Sequence, residues 1–270
     1  MKISAVLIGI LALVLAAHSE SKDCLNPGLM VTDGRIVTSQ FEASFNGFNP
    51  TYWYGFYGQA GHSYSVEFVP TVDNEISNTS VHLFNLVLWG PNDVPVLQQN
   101  GCHGPSTLSY ATTARYSPTL ARDVYGSGLR VSLVQPVSGL TVLSVSNNQD
   151  KGLYSYRVVD TTLFNARWST YSGYDTQWGF TNTSDMNITG TLSIYESSNR
   201  LLTTVQITVP PGGQAYRMSN HSDLNLPRND SGYAIFSNNG PPQAILGDSY
   251  MLNGPATVVV YTKFETRNTL

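Results

Sequence analysis

Apolar and polar residues change places at every second position through most of this chain, in runs of about five to ten residues separated by turn-forming clusters. A period of two sends successive side chains to opposite sides of an extended backbone, so such a chain buries itself as sheets rather than helices. In the first half the runs are 51–57, 63–69, 81–89, 129–134, 140–146 and 153–159. Gly58-Gln59-Ala60-Gly61, Gly90-Pro91-Asn92-Asp93 and the polar stretch 147–152 break them apart. Only 111–123 leaves room for a helix, and Pro118 would interrupt it. From Thr161 the pattern restarts, with strands expected at 163–168, 176–183, 188–195, 201–209, 214–218, 232–237, 243–251 and 256–264. Seven or eight short strands in about 105 residues match an Ig-like sandwich. The expectation is therefore an all-β chain of two consecutive β-sandwich domains, 20–160 and 161–266, with 267–270 as a tail.

The first residues read as a processing signal. Met1-Lys2 is a short positive start, 3–17 is apolar, and Ala17-His18-Ser19 offers the small-x-small site a signal peptidase reads. A permanent span wants roughly 18 or more apolar residues, so 1–19 is expected to be a signal peptide, with export to the extracellular space or cell surface. In an exported chain two cysteines favour one structural disulfide, Cys24 to Cys102, holding the N-terminal arm onto the first module.

Charge narrows the partners. Cleavage would leave 13 basic against 18 acidic residues, thinly scattered, since only 12% of the chain is charged. Nucleic acid and anionic membrane surfaces both call for a basic footprint, which is missing. The 41% hydrophobic content is ample for a core.

Several motifs in the first half are shared with one family. Trp53-Tyr54-Gly55-Phe56 stands where that family has an aromatic strand, and Ala60-Gly61-His62 where it turns. Tyr64-Ser65-Val66-Glu67-Phe68, Leu86-Val87-Leu88-Trp89-Gly90-Pro91 and the closing pair 140–145 and 152–158 follow. On these residues, 40–160 resembles the bacterial pre-peptidase C-terminal domain, whose fold is a jelly-roll-like β-sandwich. The acid that usually precedes the aromatic pair is Tyr52 here. Some members bind calcium through acidic clusters. This chain offers only Asp33, Asp73 and Glu75, scattered, so no cofactor is expected. Such modules accompany catalytic domains or act in adhesion, and the second half is similar in style to Ig-like modules of secreted bacterial proteins.

Catalytic patterns are missing. His62, His82, His103 and His221 form no metal-ligand spacing, and no G-x-S-x-G elbow occurs. His221-Ser222-Asp223 has the residue types of a triad, but neighbours in sequence point in different directions. The chain is therefore expected not to be an enzyme, an unrecognised hydrolase being the third choice. The informative residues are aromatic. Strand alternation puts Tyr52, Tyr54 and Phe56 on one face, with Trp53 and Tyr57 on the other. A second cluster comprises Trp168, Tyr171, Tyr174 and Trp178. Planar rings at a sandwich rim stack on sugars or on a protein partner. The expected ligand-binding residues are thus Trp53, Tyr57, Tyr171, Tyr174 and Trp178, in a secreted module for an extracellular polysaccharide or surface protein. A purely structural part of a surface complex, joined through adhesive edges, is the alternative.

Overall fold

The computed structural model describes residues 21–41, 51–70, 83–90, 96–98, 101–103, 129–147, 152–222, 224, 226–254 and 257–266. The expected signal peptide, the tail, Asp73, Glu75, His82 and the 111–123 stretch lie outside them. In chain order the strands are β1 (Gly28–Leu29), β2 (Val37–Phe41), β3 (Thr51–Gly58), β4 (Ser63–Pro70), β5 (Leu83–Trp89) and β6 (Val96–Gln98). Next come β7 (Gly101–His103), β8 (Leu129–Val134), β9 (Gly139–Asn147), β10 (Gly152–Asp160), β11 (Leu163–Ser169) and β12 (Tyr174–Asn182). The last six are β13 (Ile188–Glu196), β14 (Leu201–Val209), β15 (Gln214–Met218), β16 (Ser231–Asn238), β17 (Ile245–Asn253) and β18 (Thr257–Lys263). The fold is all-β, as the alternation dictates. Among the described residues the sole helical element is one 3-10 turn, Tyr171–Gly173. No helix among them is long and apolar enough to cross a membrane.

The chain forms two compact units. Unit 2 takes 160 onward together with 61–65 and 132–134, and unit 1 takes the rest. In the first half the sheets run β1-β3-β9-β5 and β2-β10-β4-β8, while β6 and β7 form a separate ribbon. From β1 to β5, and again from β8 to β10, each successive strand crosses to the opposite sheet, the wrapping of a jelly roll. Between the sheets of unit 1 lies a cluster of aromatic rings. Tyr54 packs on Phe68 and Tyr156 with centroids 5.5 and 4.8 Å apart, and Tyr154 packs on Tyr156 at 5.6 Å. A buried phenol is costly without a partner. The hydroxyls of Tyr54 and Tyr154 answer this by bonding to each other.

β3 shows how its neighbours are placed. Five of its residues in succession, Tyr52 to Phe56, are buried, so neither of its faces meets water until Tyr57. One face looks into the core. The other is covered by the N-terminal arm. Ser21 bridges to Trp53, β1 pairs in parallel with Tyr54 and Gly55, and Cys24 packs with Trp53, Trp89 and Val142. Cys24 is not a free thiol. The side chain of Cys102, its expected partner, lies outside the described ones.

Unit 2 contains the sheets β11-β16-β13-β14 and β15-β12-β17-β18. Trp178 and Phe180 from one meet Leu192, Ile194 and Phe236 from the other, and Phe180 stacks on Phe236 at 4.1 Å. Trp168, also fully buried, donates its indole N–H to the Tyr195 carbonyl at 2.8 Å. The outer strands carry a common irregularity. β11, β14 and β18 each hold one residue more than the partner opposite, a β-bulge, and in unit 1 the end strand β5 does the same.

Gly232 marks the tightest approach in unit 2, where a Cβ would lie 1.9 Å from the Tyr195 carbonyl oxygen. Gly232→Ala must push β13 and β16 apart. Denaturant melts are expected to show a loss of about 1–3 kcal/mol.

Candidate functional site

The rings expected at the surface divide sharply. Trp178 is 0% exposed and Trp53 7%, so the expectation that these two present open faces is corrected. The physical reason lies in strand phase and covering. Trp178 and Phe180, two positions apart, share one side of β12, and that side is the core. Trp53 does point away from the core of unit 1, but the arm lies over it and Trp89 packs against it at 5.0 Å. Tyr57, 66% exposed at the end of β3, and Tyr171, 50% exposed on the 3-10 turn, are accessible. Tyr174, half-buried, opens β12 close to Tyr171 in sequence. Tyr57 belongs to unit 1 and the other two to unit 2, so the five residues form no common surface within one unit.

A better-organised surface is the outer face of β15-β12-β17-β18. Because Trp178 and Phe180 face inward, Gln177, Gly179 and Thr181 face outward. The pairing register then builds rows across the four strands. One row runs Met218, Gln177, Tyr250, Tyr261, and the next runs Tyr216, Gly179, Asp248, Lys263. Tyr216 and Tyr261 are each close to half exposed, at 48% and 47%. They stand on the two outer strands, about 14 Å apart at ordinary strand spacing. Tyr250 packs beside Tyr261 with centroids 5.1 Å apart.

The polar groups between these rings are held in place. Tyr261 donates its hydroxyl to Asp248 Oδ1 at 2.6 Å, and this hydrogen bond, with a smaller contribution from burial, pushes the phenol from 10.0 up to about 12. Tyr216 donates its hydroxyl to Gln214 Oε1. At the lower end of the face the Asp175 carboxylate receives Arg228 and Asn220, each at 2.8 Å, so it is already neutralised by protein groups. The sequence reading missed Tyr216, Tyr250 and Tyr261 because it looked for aromatic clusters along the chain. Their signal is phase. Tyr250 lies out of step with the buried residues of β17, Tyr216 and Tyr261 out of step with the less exposed residues of β15 and β18, and only the sheet order brings the three together.

Titratable groups elsewhere serve the fold. His62 is buried with its Nδ1 2.9 Å from Asp160 Oδ2. Asp160 Oδ1 also accepts the Thr162 N–H, and Phe164 packs on the imidazole at 5.3 Å. Thr161 donates its hydroxyl to Ser63 at 3.0 Å, which closes the clip. His221 is exposed in a turn, bonded through its backbone to Met218 and Leu224. Among the described residues no group of three or more His, Cys, Asp or Glu could hold a metal ion. Asp33 is occupied by the backbone N–H and guanidinium of Arg35, at 2.9 and 3.4 Å.

No protein-family model and no curated protein matches the chain. Among solved structures it is similar to a Parabacteroides distasonis protein provisionally described as secreted, at 9% identity and a TM-score of 0.24, covering 86% of this chain and 88% of that one. A glycosyl hydrolase family 2 member from Bacteroides cellulosilyticus follows at 10% and 0.18, with 82% of this chain and 30% of that one covered. The extracellular region of zebrafish Gpr126/Adgrg6 stands at 9% and 0.23, with 90% and 42% covered. No family model bears out the resemblance of 40–160 to the pre-peptidase C-terminal domain.

Tyr261 offers a direct check on this surface. Asp248→Asn weakens the acceptor, and in an absorbance titration one tyrosine should move from about 12 back toward 10.0. A phenol with a raised folded pKa adds stability that is fully present below the unfolded value and fades as pH rises through the folded one. The variant should therefore narrow its gap to the parent between pH 10 and about 12.

Proposed function

We propose that the chain is an extracellular, non-catalytic binding module whose ligand surface is the outer face of β15-β12-β17-β18, and whose ligand is a polysaccharide. The supporting observation is the layout of that face. Tyrosine rings stand on both outer strands of a four-stranded sheet, with an amide, a hydroxyl and a carboxylate between them. Rings stack on the apolar faces of sugars while amides and carboxylates bond to their hydroxyls, and this face carries both kinds of group. Compartment enters through the apolar start of the sequence and its small-x-small site.

The bulges bear on the alternative of assembly through adhesive strand edges. An edge recruits another strand when it is long, flat and regular, and a bulge twists it out of register. Three of the four edge strands in unit 2 carry one, and the fourth, β15, is five residues long and includes Arg217. Unit 2 is thus poorly suited to edge-to-edge growth, which favours recognition through a face.

The test is depletion of the purified protein by insoluble cellulose, chitin, peptidoglycan and collagen, with variants alongside. Selective depletion by one polysaccharide, lost in Tyr216→Ala/Tyr261→Ala and kept in Tyr57→Ala and Tyr171→Ala, is the expected result. Both of the double variant's positions are exposed strand sites outside the core, so it should stay folded, losing only the Tyr250–Tyr261 contact and the bonds of the two hydroxyls. Trp178→Ala, by contrast, should lose about 3–5 kcal/mol as a core truncation. Depletion by collagen alone would indicate a protein partner. Loss confined to Tyr57→Ala or Tyr171→Ala would move the site off this face.

We also propose that Cys24 pairs with Cys102, which would tie the arm over Trp53 to the β6–β7 ribbon. A link closing so long a loop contributes about 4 kcal/mol on chain-entropy grounds. Peptide mapping without reductant should recover the two cysteine peptides joined, and reductant should separate them.

A further inference from the structure

Gly179 sits between the two ring-bearing ends of the proposed surface and has a particular relation to one of them. A Cβ built on Gly179 would meet two adjacent ring carbons of Tyr216, Cε1 at 3.1 Å and Cδ1 at 3.2 Å. The Tyr216 ring therefore leans across the strand boundary onto the bare backbone of its neighbour, with its hydroxyl anchored by Gln214. Such a ring is backed by protein on one side while 48% of the residue stays open to solvent. On the same row beyond Gly179 stand Asp248 and Lys263, with Tyr250 and Tyr261 one row away. The missing side chain at Gly179 is what gives the ring room to lie there, in a row that runs perpendicular to the strands toward the polar groups.

Charge on this face is nearly balanced. Asp248 and Asp175 are both engaged by protein donors, and Lys263 lies directly opposite Asp248 in the register. Among the described residues of this face a polyanion would meet Lys263, and Arg228 already bonded to Asp175, beside two carboxylates, whereas an uncharged chain of hydroxyl-bearing rings pays no such penalty. We infer that the ligand is a neutral polysaccharide lying across the strands from Tyr216 toward Tyr250 and Tyr261, and that Gly179 is the positioning residue that lets the Tyr216 ring lie down as a platform. This inference rests on the polysaccharide reading of the same face.

Because Gly179 lies in a strand at an ordinary φ, larger residues are compatible with its backbone. Substituting it shifts the Tyr216 ring while deleting none of the ligand-facing functional groups. The experiment is affinity electrophoresis of the full protein in gels containing a neutral glucan, or polygalacturonate, at low and high salt. Retardation is expected with the neutral polymer alone and should be insensitive to salt. Gly179→Ala should weaken it and Gly179→Val weaken it further, by about 3- to 10-fold, the size of one ring contact. Tyr216→Ala, which removes the platform, should lose it. Thermal melts and circular dichroism confirm that each variant is folded.

Two outcomes overturn the inference while leaving the polysaccharide reading in place. One is neutral-glucan retardation that Gly179→Val, shown to be folded, leaves unchanged. The other is a preference for polygalacturonate that salt abolishes. Absence of retardation in both gels, together with no depletion by any insoluble polysaccharide, would overturn the broader reading itself.

Discussion

A strand in which Tyr, Trp, Tyr, Gly and Phe follow one another has no side it can offer to water, and how β3 is covered governs the rest of unit 1. Its inward residues need a second sheet, which β4 and β10 supply with Phe68, Tyr154 and Tyr156. Its outward tryptophan needs a lid, which the N-terminal arm supplies through a backbone bond from Trp53 N–H to the Ser21 carbonyl at 2.7 Å. Parallel pairing of β1 fixes the arm's direction, and Gly55 admits it closely, since a Cβ there would stand 3.2 Å from Pro27. The shared hydroxyl bond of Tyr54 and Tyr154 then ties the two sheets at one point, which apolar rings alone would leave free to slide.

Unit 2 solves a similar problem with a different division of labour. Its interior is filled by hydrocarbon and aromatic side chains, and one buried polar side chain serves a strand end. Asn182 illustrates this. Though buried, its amide donates to the carbonyls of Met186, Val209 and Pro210, and its oxygen accepts from Ser184, so one side chain closes the corner where β12 ends and β14 turns. With the interior and the corners spoken for, the outer face of β15-β12-β17-β18 is free to carry tyrosines that contribute little to stability. That separation is what a recognition surface on a sheet requires.

Much of this was legible in the sequence and some of it was not, for identifiable reasons. The strands at 51–57, 188–195, 201–209 and 214–218 coincide with β3, β13, β14 and β15 within a residue or two, because alternation reports a half-buried sheet directly. β1 is too short, and β2, Val-Thr-Ser-Gln-Phe, too polar, to register as an alternating run. Bulges escaped for a deeper reason. An extra residue is defined only by counting against the strand opposite, and the pairing of β5 with β9 or β11 with β16 is not written locally. Trp178, among the expected binding residues, is buried for a similar reason. Aromatic clustering along the chain selected Trp178, whereas Tyr216, Tyr250 and Tyr261 are dispersed over β15, β17 and β18 and become neighbours only through the sheet order.

The wrapping of unit 1 has a consequence for how the chain reaches its fold. Thr38 of β2 bonds to Ser155 of β10, 117 residues away, and the Tyr54–Tyr154 bond spans 100. Unit 2 instead contains hairpins whose cross-strand bonds close over 15 and 13 residues, Gln206 to Thr191 and Tyr261 to Asp248. Folding slows as the mean separation of contacting residues grows, since distant segments must be brought together before any contact repays the lost entropy. The part of the molecule made first is therefore the part that must wait. Its second sheet stays incomplete until β10 emerges, while unit 2 can begin from local hairpins as soon as each is available.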